Sequence, residues 1–120
     1  MPKATSGIPR GAIVLVPFPF TDLSSSKVRP ALVISQSNTA KADVVVVFIS
    51  SVIKKTKPEE DILLTFADKD FSKSGLKVTS VIKCRKVATL DRSIVLGELG
   101  NLTSSKMKLV DANLKKILGL

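Results

Sequence analysis

The stretch RGAIVLVPFPFTDLSSSKVRPALVIS, residues 10–35, decides how the rest of the chain is read. Gly11 opens an apolar run filled by Ile13, Val14, Leu15, Val16 and Phe18, and β-branched residues of this kind suit a pleated, mostly buried surface. Pro17 and Pro19 cannot donate to a ladder, so the strand is expected to lie at a sheet edge or to leave the sheet there. Thr21, Asp22 and Ser24 to Ser26 make a turn-rich loop. Lys27, Val28, Arg29 and Pro30 then lead into a second strand over 31–34. Pro30 pushes Arg29 towards extended geometry. Arg29 thus stands at a strand mouth beside a polar loop, either as a solvated strand-end cation or as a group that meets an anion.

The whole chain has 120 residues, which fits one domain. Apolar residues make up 44% of it, enough for a single core, and no apolar run reaches the 18 residues a membrane-spanning helix needs. Residues 1–9 read as a flexible leader without the apolar centre of a secretory signal. Cys84 is the sole cysteine, which rules out an intramolecular disulfide and fits a reducing cytoplasm. Histidine is absent, so a histidine-based metal site, a two-histidine ribonuclease mechanism and a serine–histidine hydrolase are excluded. Lys and Arg number 19 against 10 acidic residues, a net charge of +9, and a polyanion is the natural partner, nucleic acid first.

Further along, Val44 to Ile49 form a continuous β-branched run that suits a strand covered on both faces. Ser50 and Ser51 close it, and Lys54, Lys55 and Lys57 follow in a basic loop before Pro58. A fourth strand is expected over 60–66, a turn or single helical turn over 68–75, and one bent or two short strands over 76–90. Alternation in that last segment groups Val81, Lys83, Arg85, Val87 and Thr89 on one face and Ile82, Cys84, Lys86, Ala88 and Leu90 on the other. A short strand is possible over 94–96, and Gly100-Asn101 reads as a break. A helix over 103–118, capped by Thr103 or Ser104, would pack Met107, Val110, Leu114 and Ile117 on the sheet. Many short strands with one terminal helix suggest a mainly β fold built as a small barrel.

Gly-x-Ile-Val-x-Val-x-Phe-Pro-Phe-Thr-Asp, a short Ser-rich loop and Arg-Pro-Ala-Leu-Val-Ile-Ser together resemble the opening signature of the PemK/MazF toxin family, most specifically over 11–35. The resemblance implies an SH3-like barrel with a C-terminal helix and a toxin of a type II toxin–antitoxin system. It also implies a metal-independent, cofactor-free endoribonuclease that cuts single-stranded RNA to 2′,3′-cyclic phosphate and 5′-hydroxyl ends in the cytoplasm. It further implies a homodimer and a cognate antitoxin with an acidic tail, with DNA reached only through the antitoxin complex and no membrane partner. A non-enzymatic toxin of the same fold that binds a protein such as DNA gyrase, or an inactive binding module, are the alternatives.

RNA carries its own nucleophile, the 2′-hydroxyl, so an enzyme need only position it in line with phosphorus and stabilise the added phosphoryl charge. Guanidinium binds two oxygens at once and, with a pKa above about 12, is a poor proton shuttle, so Arg29 is the candidate for charge stabilisation. The family's second catalytic residue is a Thr or Ser ending the third strand. Ser50 falls there, with Ser51 the alternative if the alignment slips by one. Thr21, Ser24, Ser25, Lys27, Lys54, Lys55 and Lys86 are the expected RNA-binding residues. Alignment puts a third, basic family position at Ala88, and Lys86 is expected to replace the missing cation. The family's acidic residue after the first glycine is also missing, since Ala12 stands there.

The remaining clusters are weaker. Asp68-x-Asp70 and Glu59-Glu60-Asp61 read as solvated acids. Cys84 is either activated by Lys83, Arg85 and Lys86 or, by its parity with Ile82, a buried structural thiol. With no Tyr or Trp, base stacking would rest on Phe18, Phe20 or arginine, which disfavours an extended stacking platform.

Overall fold

β-Branched runs become strands wherever two or three neighbours can cover them, and the computed structural model, which describes residues 7–17, 28–36 and 43–120, shows six. They are β1 (Ala12–Pro17), β2 (Val28–Val33), β3 (Val44–Ser50), β4 (Ile62–Leu64), β5 (Ser80–Leu90) and β6 (Gly97–Asn101), with helices α1 (Phe71–Ser74) and α2 (Ser104–Leu118). The strands form one antiparallel sheet in the order β4-β5-β3-β2-β1-β6. The sheet curls into a half-barrel, covered on one side by the C-terminal helix.

β1 is an interior strand between β2 and β6 and so not at a sheet edge; Pro17 is its last residue, paired with Val28, and Pro19 lies outside the described residues. Ile8, within the expected leader, packs half-buried against the core. Arg10 donates to the Ile34 carbonyl and pairs with Asp111 of α2, tying the start of β1 to the helix.

Two neighbouring segments differ from the sequence reading. No strand forms over 94–96; a 3₁₀ turn occupies Arg92–Ile94, and the last strand runs through Gly100-Asn101 instead of breaking there. The reason is steric. A Cβ on Gly100 would stand 2.2 Å from the Lys73 carbonyl oxygen, and one on Gly75, which ends α1 at φ +75°, would stand 2.1 Å from the Leu99 carbonyl oxygen. The two glycines are the contact between α1 and β6. Because α1 hangs from the opposite edge strand β4, that contact draws the two edges of the sheet towards each other.

β5 is a single 11-residue strand with an irregularity that the alternation rule missed. It pairs with β3 as Val47↔Val87 and then as Phe48↔Lys83, leaving Cys84, Arg85 and Lys86 without opposite numbers. The odd excess reverses which parity faces which side. Ile82 and Cys84 point to the helix side, whereas Ala88 and Leu90 serve the other face, so the single face expected for all of them does not exist.

The sheet is buried on both sides. Ile13, Leu32, Val47, Ile49, Ile62, Leu64, Ile82 and Cys84 pack under Met107, Val110 and Leu114 of α2, the expected helical stripe, with Ile117 half-buried beside them. Val14, Val16, Ala31, Val33, Val44, Val46, Phe48 and Leu90 form the core of the opposite face. β3 contributes to both, as its unbroken apolar run requires.

Candidate active site

The face turned away from α2 changes character along its length, from an apolar core to a polar end, and the strand registers define that end. On β1 and β2, Val16 stands opposite Arg29; on β3 and β5, Ser50 stands opposite Val81; on β5 and β4, Val81 stands opposite Leu63. β2 and β3 pair as Val33↔Val46, Leu32↔Val47 and Ala31↔Phe48. Two residues further in that register, Arg29 meets Ser50. One transverse row therefore reads Val16, Arg29, Ser50, Val81, Leu63. Pro30, which has no N–H to give, sits where the β2–β3 ladder stops, so Arg29 and Ser50 share a side of the sheet just past the last paired residues.

Both side chains are half-buried: neither is sealed in the core, and neither is a fully solvated surface group. The Ser50 hydroxyl accepts the Val52 N–H at 3.0 Å, which fixes it at the strand exit while leaving its own proton for a further acceptor. Ser51 is exposed on the following bend.

The next row on the same face is Val14, Ala31, Phe48, Lys83. Lys83 thus stands one row, about 7 Å of strand rise, from Ser50. Ala88 pairs with Val46, four residues from Ser50 and about 13 Å away by rise, where it packs half-buried against the apolar core. A cation at Ala88 would be too distant to share a phosphate with Ser50. Lys86 lies in the unpaired excess of β5 and is exposed. Lys54 and Lys55 are exposed in the segment after β3. Thr21, Ser24, Ser25 and Lys27, together with Phe18 and Phe20, lie outside the described residues.

Lys83 and Asp61 were not singled out by the sequence. Asp61 is buried, not solvated, and its carboxylate lies 4.0 Å from the Lys83 ammonium. Glu60 pairs with Arg85 at 3.5 Å, and its carboxyl is held below the usual range by its own backbone N–H first and by Arg85 second. Asp68 is likewise committed to structure. It accepts the Thr65 N–H at 2.7 Å, which is the main cause of its lowered pKa, and pairs with Lys106 of α2 at 3.1 Å. Cys84 is buried and its thiol is pushed up to about 11, chiefly by desolvation, so of the two readings the structural one holds.

A family profile of PemK-like, MazF-like toxins of type II toxin–antitoxin systems matches residues 9–118. The chain belongs to this family. Among solved structures it resembles an endoribonuclease from a mycobacterial species (22% identity, TM-score 0.69, covering 94% of this chain and 92% of that one). It also resembles a mycobacterial endoribonuclease in complex with its cognate antitoxin (20%, 0.70, 95% and 97%). A third similar structure is MazF from Deinococcus radiodurans (22%, 0.66, 94% and 97%). At these identities the likeness establishes the fold of this PemK/MazF toxin, and the residues on its polar row carry the argument about chemistry. A comparison with curated proteins gave no match. No helix among the described residues is long and apolar enough to cross a membrane.

Proposed function

We propose that this toxin is an endoribonuclease of the mRNA interferase type that cuts single-stranded RNA without a metal ion. The 2′-hydroxyl oxygen bonds to the adjacent phosphorus and the bond to the 5′-oxygen breaks. The proton leaves the 2′-oxygen and one is taken up by the departing 5′-oxygen, so the products are a 2′,3′-cyclic phosphate and a 5′-hydroxyl. Arg29 neutralises the charge that grows on the phosphoryl oxygens, Ser50 donates a hydrogen bond to one of them and helps orient the attacking hydroxyl, and Lys83 adds a cation from the next row.

The observation that carries this reading is the row itself: a guanidinium and a hydroxyl, 21 positions apart in the chain (50 minus 29), on neighbouring strands and one face, at the polar end of the sheet. Lys54, Lys55 and Lys86 hold the RNA backbone around it, in keeping with the +9 charge. The toxin acts in the cytoplasm as a homodimer, and a cognate antitoxin covers the same basic surface with an acidic segment; a structural neighbour solved with its antitoxin supports this. The deciding experiment is cleavage of an unstructured RNA in excess EDTA. Cutting persists, the ends carry cyclic phosphate, and Arg29→Ala abolishes it while keeping its circular dichroism spectrum. Cleavage that stops on chelation, or survives Arg29→Ala, refutes the reading.

A further inference from the structure

Extending the β4–β5 register by one residue sets Asp61 directly opposite Lys83, so the row beside the reactive one reads Val14, Ala31, Phe48, Lys83, Asp61. The Asp61 carboxylate lies 4.0 Å from the Lys83 ammonium, and the two side chains are 4% and 26% exposed. The ion pairs of Asp68 and Asp111 tie α2 to the rest of the fold. That of Asp61 lies on the opposite face, which carries Arg29 and Ser50. The backbone of Asp61 is fixed independently of its carboxylate. Its N–H donates to the Pro58 carbonyl at 3.0 Å, and its own carbonyl accepts the Lys57 ammonium at 3.1 Å. The cleft that Asp61 and Lys83 share with the segment 52–58 has space for little more than one water, about 10 Å³, so the carboxylate cannot meet an RNA chain itself. Whatever Asp61 does at this site, it does through Lys83.

We propose that Asp61 is a positioning residue of the nuclease site, holding the Lys83 ammonium ready for the phosphoryl oxygens that Arg29 and Ser50 engage; the proposal rests on the nuclease reading above. A lysine carries its ammonium on a flexible four-carbon stem, and ordering that stem at the moment of reaction would raise the barrier. A fixed carboxylate on the next strand orders it beforehand. The separation matters. At 4.0 Å the attraction acts, but the distance exceeds hydrogen-bond length, so Asp61 takes none of the three N–H donors that phosphate needs. Burial completes the arrangement. A carboxylate 4% exposed does not swing into solvent, while Lys83, at 26%, keeps an open side. The expected effect has a sign opposite to that of bulk electrostatics. Removing a negative charge from a basic surface strengthens its hold on a polyanion. Loss of the tether instead slows cleavage.

The test compares initial rates on an unstructured RNA in excess EDTA for the wild type, Asp61→Asn, Lys83→Met and the double variant, each well below its thermal midpoint. Asp61→Asn keeps the shape of the side chain and both backbone contacts. It is expected to lower kcat about tenfold, the scale of a misplaced group, with KM unchanged or lower. In the Lys83→Met background the same substitution changes kcat by less than about twofold, because no ammonium is left to hold. Separate, multiplying losses would mark a merely structural role, and an Asp61→Asn toxin that cuts as fast as the wild type or faster would mark a simple charge effect; either overturns the proposal. A second measurement needs no variant. In the free wild-type toxin, NMR relaxation of the Lys83 Cε methylene is expected to report an ordered group, unlike those of the exposed Lys54 and Lys55. A Lys83 as mobile as Lys54 overturns the proposal even where Asp61→Asn does not fold. Wild-type toxin that leaves RNA intact in EDTA overturns the nuclease reading and this role with it, whereas wild-type cutting that Asp61→Asn matches overturns this role alone.

Discussion

In the proposed reaction, Arg29 and Ser50 divide the work at the residue scale by what each group can do at neutral pH. A guanidinium holds two phosphoryl oxygens and keeps its charge, and a hydroxyl supplies one directional hydrogen bond. Removing a preorganised donor of this kind costs on the order of 10²–10³ in rate. Arg29→Ala is expected to lose at least that much, and Arg29→Lys most of it, because the fork is gone although the charge remains. Ser50 carries a second duty, since its oxygen accepts the Val52 N–H. Ser50→Ala therefore lowers cleavage tenfold or more and also removes about 1 kcal/mol of stability. Ser50→Thr keeps the hydroxyl and restores both. A gel assay in EDTA alongside thermal unfolding separates the two effects; a Ser50→Ala enzyme with full activity would leave Ser50 as a strand-end residue only.

At the element scale the fold turns on how two short pieces meet. α1 has four residues and could not stand alone, and β6 is a glycine-containing edge strand; their backbones approach at Gly75 and Gly100 with no space for a side chain. Gly100→Ala puts a methyl group where the Lys73 carbonyl already is, and is expected to cost about 2–4 kcal/mol as α1 is pushed off the sheet. Gly97, in the same strand, has nothing within 4 Å of where its Cβ would be, so Gly97→Ala should change stability by no more than about 0.5 kcal/mol. Urea unfolding of the pair checks this directly, and equal losses would mean that strand propensity, not the α1 contact, is being measured. The bulge in β5 acts at the same scale. By adding three residues opposite none, it places Lys83 in the row beside Ser50 and sends Ala88 to the apolar core.

For the molecule as a whole, charge and titration set the limits. Glu60, Asp68 and Asp91 bind protons less tightly folded than unfolded, so the stability they contribute is present above their ordinary values of 4.5 and 3.8 and is lost as pH falls below them. Cys84 does the opposite. Its folded thiol keeps its proton up to about 11 against an ordinary 9.0, so its contribution is full below pH 9 and is lost between 9 and 11. With no histidine, no side chain ordinarily titrates between. The urea midpoint should be flat from about pH 5 to 8, falling on either side, and a step near pH 6.5 would contradict this. The +9 charge should also make RNA binding steeply salt-dependent. Each phosphate contact contributes roughly 0.7 to the slope of log affinity against log salt, so Lys54→Ala and Lys86→Ala should each reduce that slope by about this amount. An unchanged slope in either variant removes that lysine from the RNA surface.

The sequence by itself determined the strands of β-branched residues, the amphipathic stripe of α2, the basic balance that makes a polyanion the expected partner, and the two residues that head the candidate site. These are local properties: Pro30 fixes the backbone of Arg29, and Ser50 ends an apolar run that can only be a strand. Only the tertiary structure decided which residues share a face across strands. The odd excess in β5 reverses parity in a way no period of two reveals, and Gly100 reads as a break until the Lys73 carbonyl is seen against it. Lys83 stayed hidden for the same reason: its place in the row next to Ser50 is set by the register between strands distant in the chain, and register is a property of the assembled sheet.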